Sequence, residues 1–327
     1  MNNNISIIDL YTKYKSSYSS SLYDLTKHVI LMSFSFYFLH YYRNSYYNIL
    51  FCIIMSLFVV RTFIIYHDCC HNSYTPNKTL NYILSNILGI FCLTSPNWGL
   101  LHKIHHKTSG NIDNKFNFNF NEMVFTTVNK FNKFTKLQKN IYLIIYYPLV
   151  FFSIIPFIYF FILHRGFFNI LFFSYNRTKI GYFNYFINNL SISILYYILY
   201  KYEILFLFLI SQQISSSIGF LLFYCQHTFN PSYVVNNEEW TLKNSGLQGS
   251  SFIQVPLIIK YFTMGIEYHH IHHMNSLIPG YNLKEYHDYV ILHSNMFDNI
   301  IKLSMKDCYN NIWLNLYDED KKMFVSY

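Results

Sequence analysis

Residues 46–71 read YYNILFCIIMSLFVVRTFIIYHDCCH, a long apolar run broken by Arg61 and closed by His67 and His71. A membrane-crossing helix needs about 20 predominantly apolar residues, and this run supplies them. Positions i and i+4 share one helix face, so the two imidazoles stand one turn apart at the end of the run. Similar clusters follow at His102-Lys-Ile-His105-His106 and His269-His-Ile-His272-His273, and Gln226-His227 closes the apolar stretch 204–225.

Composition is skewed in a way that must be discounted first. The chain of 327 residues contains no alanine, while Phe and Tyr supply 33 residues each. Alanine is normally among the commonest residues, and so uniform a shift reads as codon bias, not function. Two features survive that discount. Only 12% of residues are charged and 52% are hydrophobic, which excludes a disordered chain and argues against a soluble globular enzyme. The net charge of +8 suits an anionic lipid surface, and no nucleic-acid partner is expected. The six cysteines include no CxxC pair, so neither a disulfide framework nor a zinc ribbon is indicated.

Apolar stretches fall at 28–42, 46–66, 80–95, 141–163, 185–200 and 204–225. Of these, 46–66, 141–163 and 204–225 are long enough to span; the others read as tilted, re-entrant or interfacial. The expected fold is all-α, an integral membrane helical protein of four to six spans with a cytosolic histidine cap holding a dimetal site. Its expected divisions are a polar N-terminal tail (1–27, without a signal-peptide pattern), a membrane domain (28–290) and a cytosolic C-terminal tail (291–327). One shared site requires every cluster on one membrane side. The stretch 80–95, between the first two, should therefore be interfacial, re-entrant or a hairpin.

The chemistry lies in the histidines. Eight imidazoles in three clusters exceed the four ligands of a structural zinc and the three of a catalytic one. Imidazole suits iron, copper, zinc and nickel. No thiolate or carboxylate cluster accompanies them, which disfavours iron–sulfur centres and Glu-rich di-iron bundles. A histidine-rich metal transporter is the rival of a different class, but transporters place ionisable ligands near the midplane, and these clusters sit at span ends.

Three boxes reading HxxxH, HxxHH and HxxHH, in this order, resemble those of the membrane fatty-acid desaturases, in particular bacterial acyl-lipid and omega-6 types. The likeness extends through Arg61–Cys69, His102–Asp113, Phe223–Phe229, Gln248–Ser251, Gly265–His273 and Ile278–Leu283. The resemblance implies a fatty acyl desaturase that uses O2 to place a cis double bond in a lipid acyl chain, with hydroxylases and ketolases as relatives. It implies two iron ions held by His67, His71, His102, His105, His106, His269, His272 and His273, with His227 as a ninth ligand. Asp68, Asp113 and Glu267 become candidates for fixing histidine tautomers, or else solvated carboxylates. Arg61 is a candidate for contact with a lipid headgroup or a box carboxylate, or else snorkels to the interface. His270 breaks the i, i+3, i+4 face and is expected to point away.

Departures from the pattern are few. The first box reads HDCCH, with Cys70 where a smaller residue is usual; the third opens on His269, unlike front-end desaturases. No His-Pro-Gly-Gly haem motif occurs, so electrons are expected from an external ferredoxin, flavodoxin or cytochrome b5. The expected location is a multi-pass position in the endoplasmic reticulum of a eukaryote or the plasma membrane of a bacterium.

Overall fold

The computed structural model describes residues 7–113, 125–165 and 178–327. Helices dominate: α1 (Ile7–Tyr14), α2 (Tyr18–Tyr41), α3 (Asn48–His71), α4 (Lys78–Phe91) and α5 (Trp98–Thr108) precede a short strand β1 (Thr126–Thr127). Then come α6 (Val128–Asn132), α7 (Lys136–Ile145), α8 (Val150–Leu163), α9 (Lys179–Lys201), α10 (Leu205–His227) and α11 (Leu242–Gly249). The C-terminal part carries β2 (Phe252–Ile253), α12 (Leu257–Thr263), α13 (His269–Met274), α14 (Gly280–His293), β3 (Lys302–Leu303), α15 (Met305–Asn311), β4 (Leu316–Asp318) and β5 (Met323–Val325).

Among the described residues, α3 and α10 are long and apolar enough to cross a membrane. At 1.5 Å per residue, each covers about 35 Å against a hydrocarbon core of ~30 Å. Near their starts the Cys52 thiol meets the Leu207 carbonyl at 3.5 Å, and histidines meet at their C-terminal ends. The two therefore run parallel. α3 stops where Asn72 adopts a left-handed φ of 59°, a conformation that asparagine tolerates at a helix end.

The stretch 141–163, expected as a span, falls in a pair of helices that together are long and apolar enough to cross but are bent by 64°, as in a broken span or a re-entrant loop. Pro148 lies in the break and Pro156 inside α8, and each removes a backbone N–H that a straight helix would use. Wide π turns flank Ile155–Phe157. The stretch 80–95 forms the 14-residue α4 and a turn. At about 21 Å it is too short to cross, and α5 returns from it toward the histidines.

Both presumed tails join the fold. The Ser17 hydroxyl accepts the Ser20 N–H at 3.1 Å, a helix start that makes residues 18–27 the first turns of α2. Tyr14 packs edge-on against Tyr286 of α14. At the other end, β4 pairs in parallel with β1 and antiparallel with β5, and the Tyr142 hydroxyl of α7 donates to the Asn315 carbonyl.

Candidate metal centre

Four helices deliver histidines to one place. Those of α3, α5, α10 and α13 form two groups whose candidate ligand atoms lie within 4.8 Å of one another. The first holds His67, His71, His102, His106 and His272; the second holds His105, His227, His269 and His273. All nine sequence-chosen histidines are thus brought together, and His270 belongs to neither group. Its ring packs instead on Phe297, with centroids 4.8 Å apart.

The nitrogens converge. In the first group, His102 Nε2 lies 2.8 Å from His67 Nε2 and 3.1 Å from His106 Nε2, which is 3.0 Å from His272 Nε2. In the second, His105 Nε2 lies 3.1 Å from His227 Nε2 and 3.2 Å from His273 Nε2, while His227 and His269 stand at 3.0 Å. Burial, reinforced by the neighbouring imidazoles, pushes His102, His105, His106, His269, His272 and His273 well below the ordinary range. Burial thus favours the neutral ring, which keeps a lone pair. Among the described residues His71 Nε2 is buried without a hydrogen-bond partner, a cost that a bound cation removes. Two nitrogens at right angles, each about 2.1 Å from one ion, stand about 3.0 Å apart, matching these spacings. The donor set therefore fits a pair of imidazole-binding metals such as iron.

Surrounding groups set the tautomers. His67 Nδ1–H donates to Asp68 Oδ1 at 3.2 Å, and Asp68 Oδ2 accepts the Gly280 N–H at 2.7 Å. His227 Nδ1–H donates to the Gly249 carbonyl at 3.1 Å. A ring that donates through Nδ1 presents its Nε2 lone pair. Trp98 stacks on His102 with centroids 4.6 Å apart. Close backbone approaches hold the frame. A Cβ on Gly99 would come within 2.8 Å of the Cys70 Cβ, so the unusual cysteine of the first box seats against a glycine of α5. Gly265, at φ 86°, would place a Cβ 2.3 Å from the Gly280 carbonyl oxygen.

Three sequence candidates take other roles. Asp113 is exposed and accepts the Asn237 N–H at 2.9 Å; the turn at Gly110 (φ 77°) has carried the chain into pairing with Val235. Glu267 is buried, which pushes its carboxyl above the ordinary range, and its Oε2 has no hydrogen-bond partner among the described residues. No histidine contact is recorded for it among the described residues. Arg61 pairs with Asp24 of α2 and donates to the Tyr261 carbonyl, so the carboxylate it meets belongs to α2 and not to a histidine box. Sequence reading missed Asp24, Trp98 and Gly249. The regular polar positions Gln212, Ser215, Ser216 and Gly219 in an apolar helix were the visible signal of another feature, a cavity.

That cavity, about 490 Å³, is lined mainly by apolar residues of α3, α8 and α10, including Val59, Phe63, Ile155 and Phe220. His67, His102 and His269 form part of its wall, so it touches both histidine groups. Ile145, Tyr146, Leu314 and Phe324 line it where α7 meets the C-terminal strands. A separate cavity of about 160 Å³ reaches His105 and His227 past Thr108, Asn111 and Lys130.

These features define a helical membrane protein with a polyhistidine centre facing an apolar cavity. Residues 44–293 match the fatty acid desaturase family, and the chain belongs to that family. It is 32% identical over 283 residues to a fatty acid desaturase of Bacillus subtilis (strain 168), covering 84% of this chain and 76% of that protein. Local matches reach the probable fatty acid desaturase DES1 of Sorghum bicolor, 35% identical over 16% of this chain and 13% of the relative. The sn-1 acyl-lipid omega-3 desaturase (ferredoxin) of Nostoc sp. (strain 36) is 38% identical over 16% of this chain and 15% of the relative.

Proposed function

We propose that this protein introduces a cis double bond into the acyl chain of a membrane lipid, with O2 as co-substrate and two electrons from an external donor protein. The carrying observation is the apolar cavity that runs into both histidine groups of a chain belonging to the desaturase family. The reaction converts a methylene pair, O2, two protons and two electrons into an alkene and two waters. The C–H bonds are neither acidic nor polarised, so no side-chain base can break them; two iron ions, when bound, would supply that oxidation.

The chain's own residues do the rest. His67, His71, His102, His106 and His272 would hold one ion, and His105, His227, His269 and His273 the other. Asp68 and the Gly249 carbonyl keep protons on His67 Nδ1 and His227 Nδ1, leaving the facing nitrogens free. The walls formed by Val59, Phe63, Ile155 and Phe220 exclude water and hold an alkyl chain extended past the histidines. Histidines at the same end of two parallel helices support a centre on one membrane face, the cytosolic one in this reading. The Nostoc relative's name mentions ferredoxin, which favours an iron–sulfur donor.

Expression in a host lacking polyunsaturated lipids, followed by gas chromatography–mass spectrometry of fatty-acid derivatives, tests this. A new double bond that disappears in His105→Ala supports the reading. No new product across a range of chain lengths, with a donor supplied, overturns it.

A further inference from the structure

We propose that the small polar cavity is the water port of the second histidine group, and that Phe125 and Phe324 form the partition that keeps its water out of the apolar cavity. The inference rests on the desaturase reading for what the port carries, the two waters of the reaction, and on the two cavities for its geometry.

The two cavities meet different histidines. The apolar one touches His67 and His102 of the first group and His269 of the second. The polar one touches His105 and His227, both of the second group. Its wall carries the Thr108, Ser109, Thr127 and Thr228 hydroxyls and the Asn111 amide, the kind of polar partners that a held water needs. At about 160 Å³ it has room for several waters, at roughly 30 Å³ each. Lys130 is exposed and marks the outer end, while Asn111 and Thr127 are half-buried. With an alkyl chain filling the apolar cavity, water formed at the histidines leaves through the polar one.

Phe125, Thr228 and Phe324 line both cavities and so stand between them. The Phe125 and Phe324 rings meet edge-on with centroids 5.3 Å apart, and both pack on Tyr317, at 5.4 and 5.5 Å. Tyr317 faces Phe324 across the β4–β5 pair. Asn230 clamps the same residue: its Oδ1 accepts the Phe324 N–H and its Nδ2 donates to the Phe324 carbonyl, each at 2.9 Å. A strand pair and a side-chain clamp thus fix the ring in place. Phenyl groups offer water no hydrogen bond, so a water molecule passing between them gives up its partners. The C-terminal strands, expected from sequence as part of a tail, separate the wet cavity from the dry one.

X-ray radiolytic footprinting of the full chain in lipid nanodiscs tests this, because hydroxyl radicals made from water oxidise the side chains beside that water. Oxidised residues would be read by mass spectrometry. In the unaltered chain, oxidation is expected at His105, His227 and Tyr233 and to be several-fold slower at Tyr146, Phe223 and Tyr224 on the apolar side. In Thr108→Leu, which narrows the polar cavity, oxidation of His105 and His227 is expected to fall. In Phe324→Ala the partition opens, and oxidation is expected to spread to Tyr146, Phe223 and Tyr224. Phe125→Ala, at a half-buried position, should do the same and decides the matter if Phe324→Ala does not fold. Protection of His105 and His227 in the unaltered chain overturns the port. Protection of Tyr146, Phe223 and Tyr224 in every folded partition variant overturns the partition. The expected footprints in a chain that gives no new double bond in any lipid support the port and sink the desaturase reading alone.

Discussion

The two histidine groups are built from the same helices in opposite proportions. α5 gives His102 and His106 to the first group and His105 to the second; α13 gives His272 to the first and His269 and His273 to the second. Each HxxHH box thus places its i, i+4 pair on one group and its odd histidine on the other. α3 then adds two rings to the first group, whereas α10 adds one to the second, leaving five donors against four. The first group is buried throughout, with a carboxylate behind His67. The second is backed by a neutral carbonyl at His227, itself only half-buried, and borders the polar cavity. Two ions in such unequal settings should differ in how firmly they are held and how readily small molecules reach them.

The largest expected effect tests that inequality. His272→Ala removes a ring from the buried group, and His227→Ala one from the smaller group. Each should lower desaturation at least about a hundredfold, since even the outer partners of metal ligands are worth roughly 10–100-fold. Metal content after purification separates them. His227→Ala leaves three protein donors and should lose its ion readily, whereas His272→Ala leaves four and should retain more metal. Equal retention, measured by inductively coupled plasma mass spectrometry, would show that the groups act as one unit.

Next comes the partner of the buried group. Asp68→Asn keeps the shape but weakens acceptance of both His67 Nδ1–H and the Gly280 N–H. Activity or metal affinity should fall about 10–100-fold. Ser109→Ala, near His227 Nδ1 at 3.4 Å, should cost far less, because Gly249 still accepts that proton. Comparable losses would remove the distinction drawn between carboxylate and carbonyl backing.

Much of this site was legible in the sequence because ligand spacing on a helix is local: HxxxH and HxxHH fix which rings share a face, whatever the rest of the chain does. How each box divides between two groups was not legible, since it depends on how α5 and α13 face each other. Nor was the partner of Arg61. Asp24 lies 37 residues earlier, in a polar stretch that carried no helical pattern distinct from composition bias. The bend in 141–163 could have been read from Pro148 and Pro156, a break on which apolar length alone is silent. The apolar cavity was beyond reach for a different reason. In a chain so rich in Phe and Tyr, aromatic walls carry no signal, and only the small and polar positions of α10 stood out.

Arg61 and Asp24 extend the comparison to stability. Neither belongs to the two histidine groups, yet Arg61 is buried and Asp24 half-buried. Asp24→Asn leaves a buried guanidinium with one fewer anionic partner, a change worth about 3 kcal/mol in other buried pairs. The purified protein should melt at a lower temperature while keeping its metal content. Loss of metal at unchanged melting temperature would mean that the pair acts on the centre and not on the packing of α2 against α3.

The smallest effect belongs to Asp113, a box carboxylate that meets a loop amide and not an imidazole. It is exposed, and its carboxylate accepts the Asn237 N–H. Asp113→Ala should change stability by no more than about 0.5 kcal/mol and leave metal content and product yield within experimental scatter. The contrast with Asp68 is what matters: two aspartates that sequence placed in equivalent roles differ because one contacts His67 and the other a loop amide. Were Asp113→Ala to lose metal as Asp68→Asn does, the segment after the second box would have to close over His105 and His227 in the working enzyme. The polar cavity beside them would then be a passage that shuts during turnover.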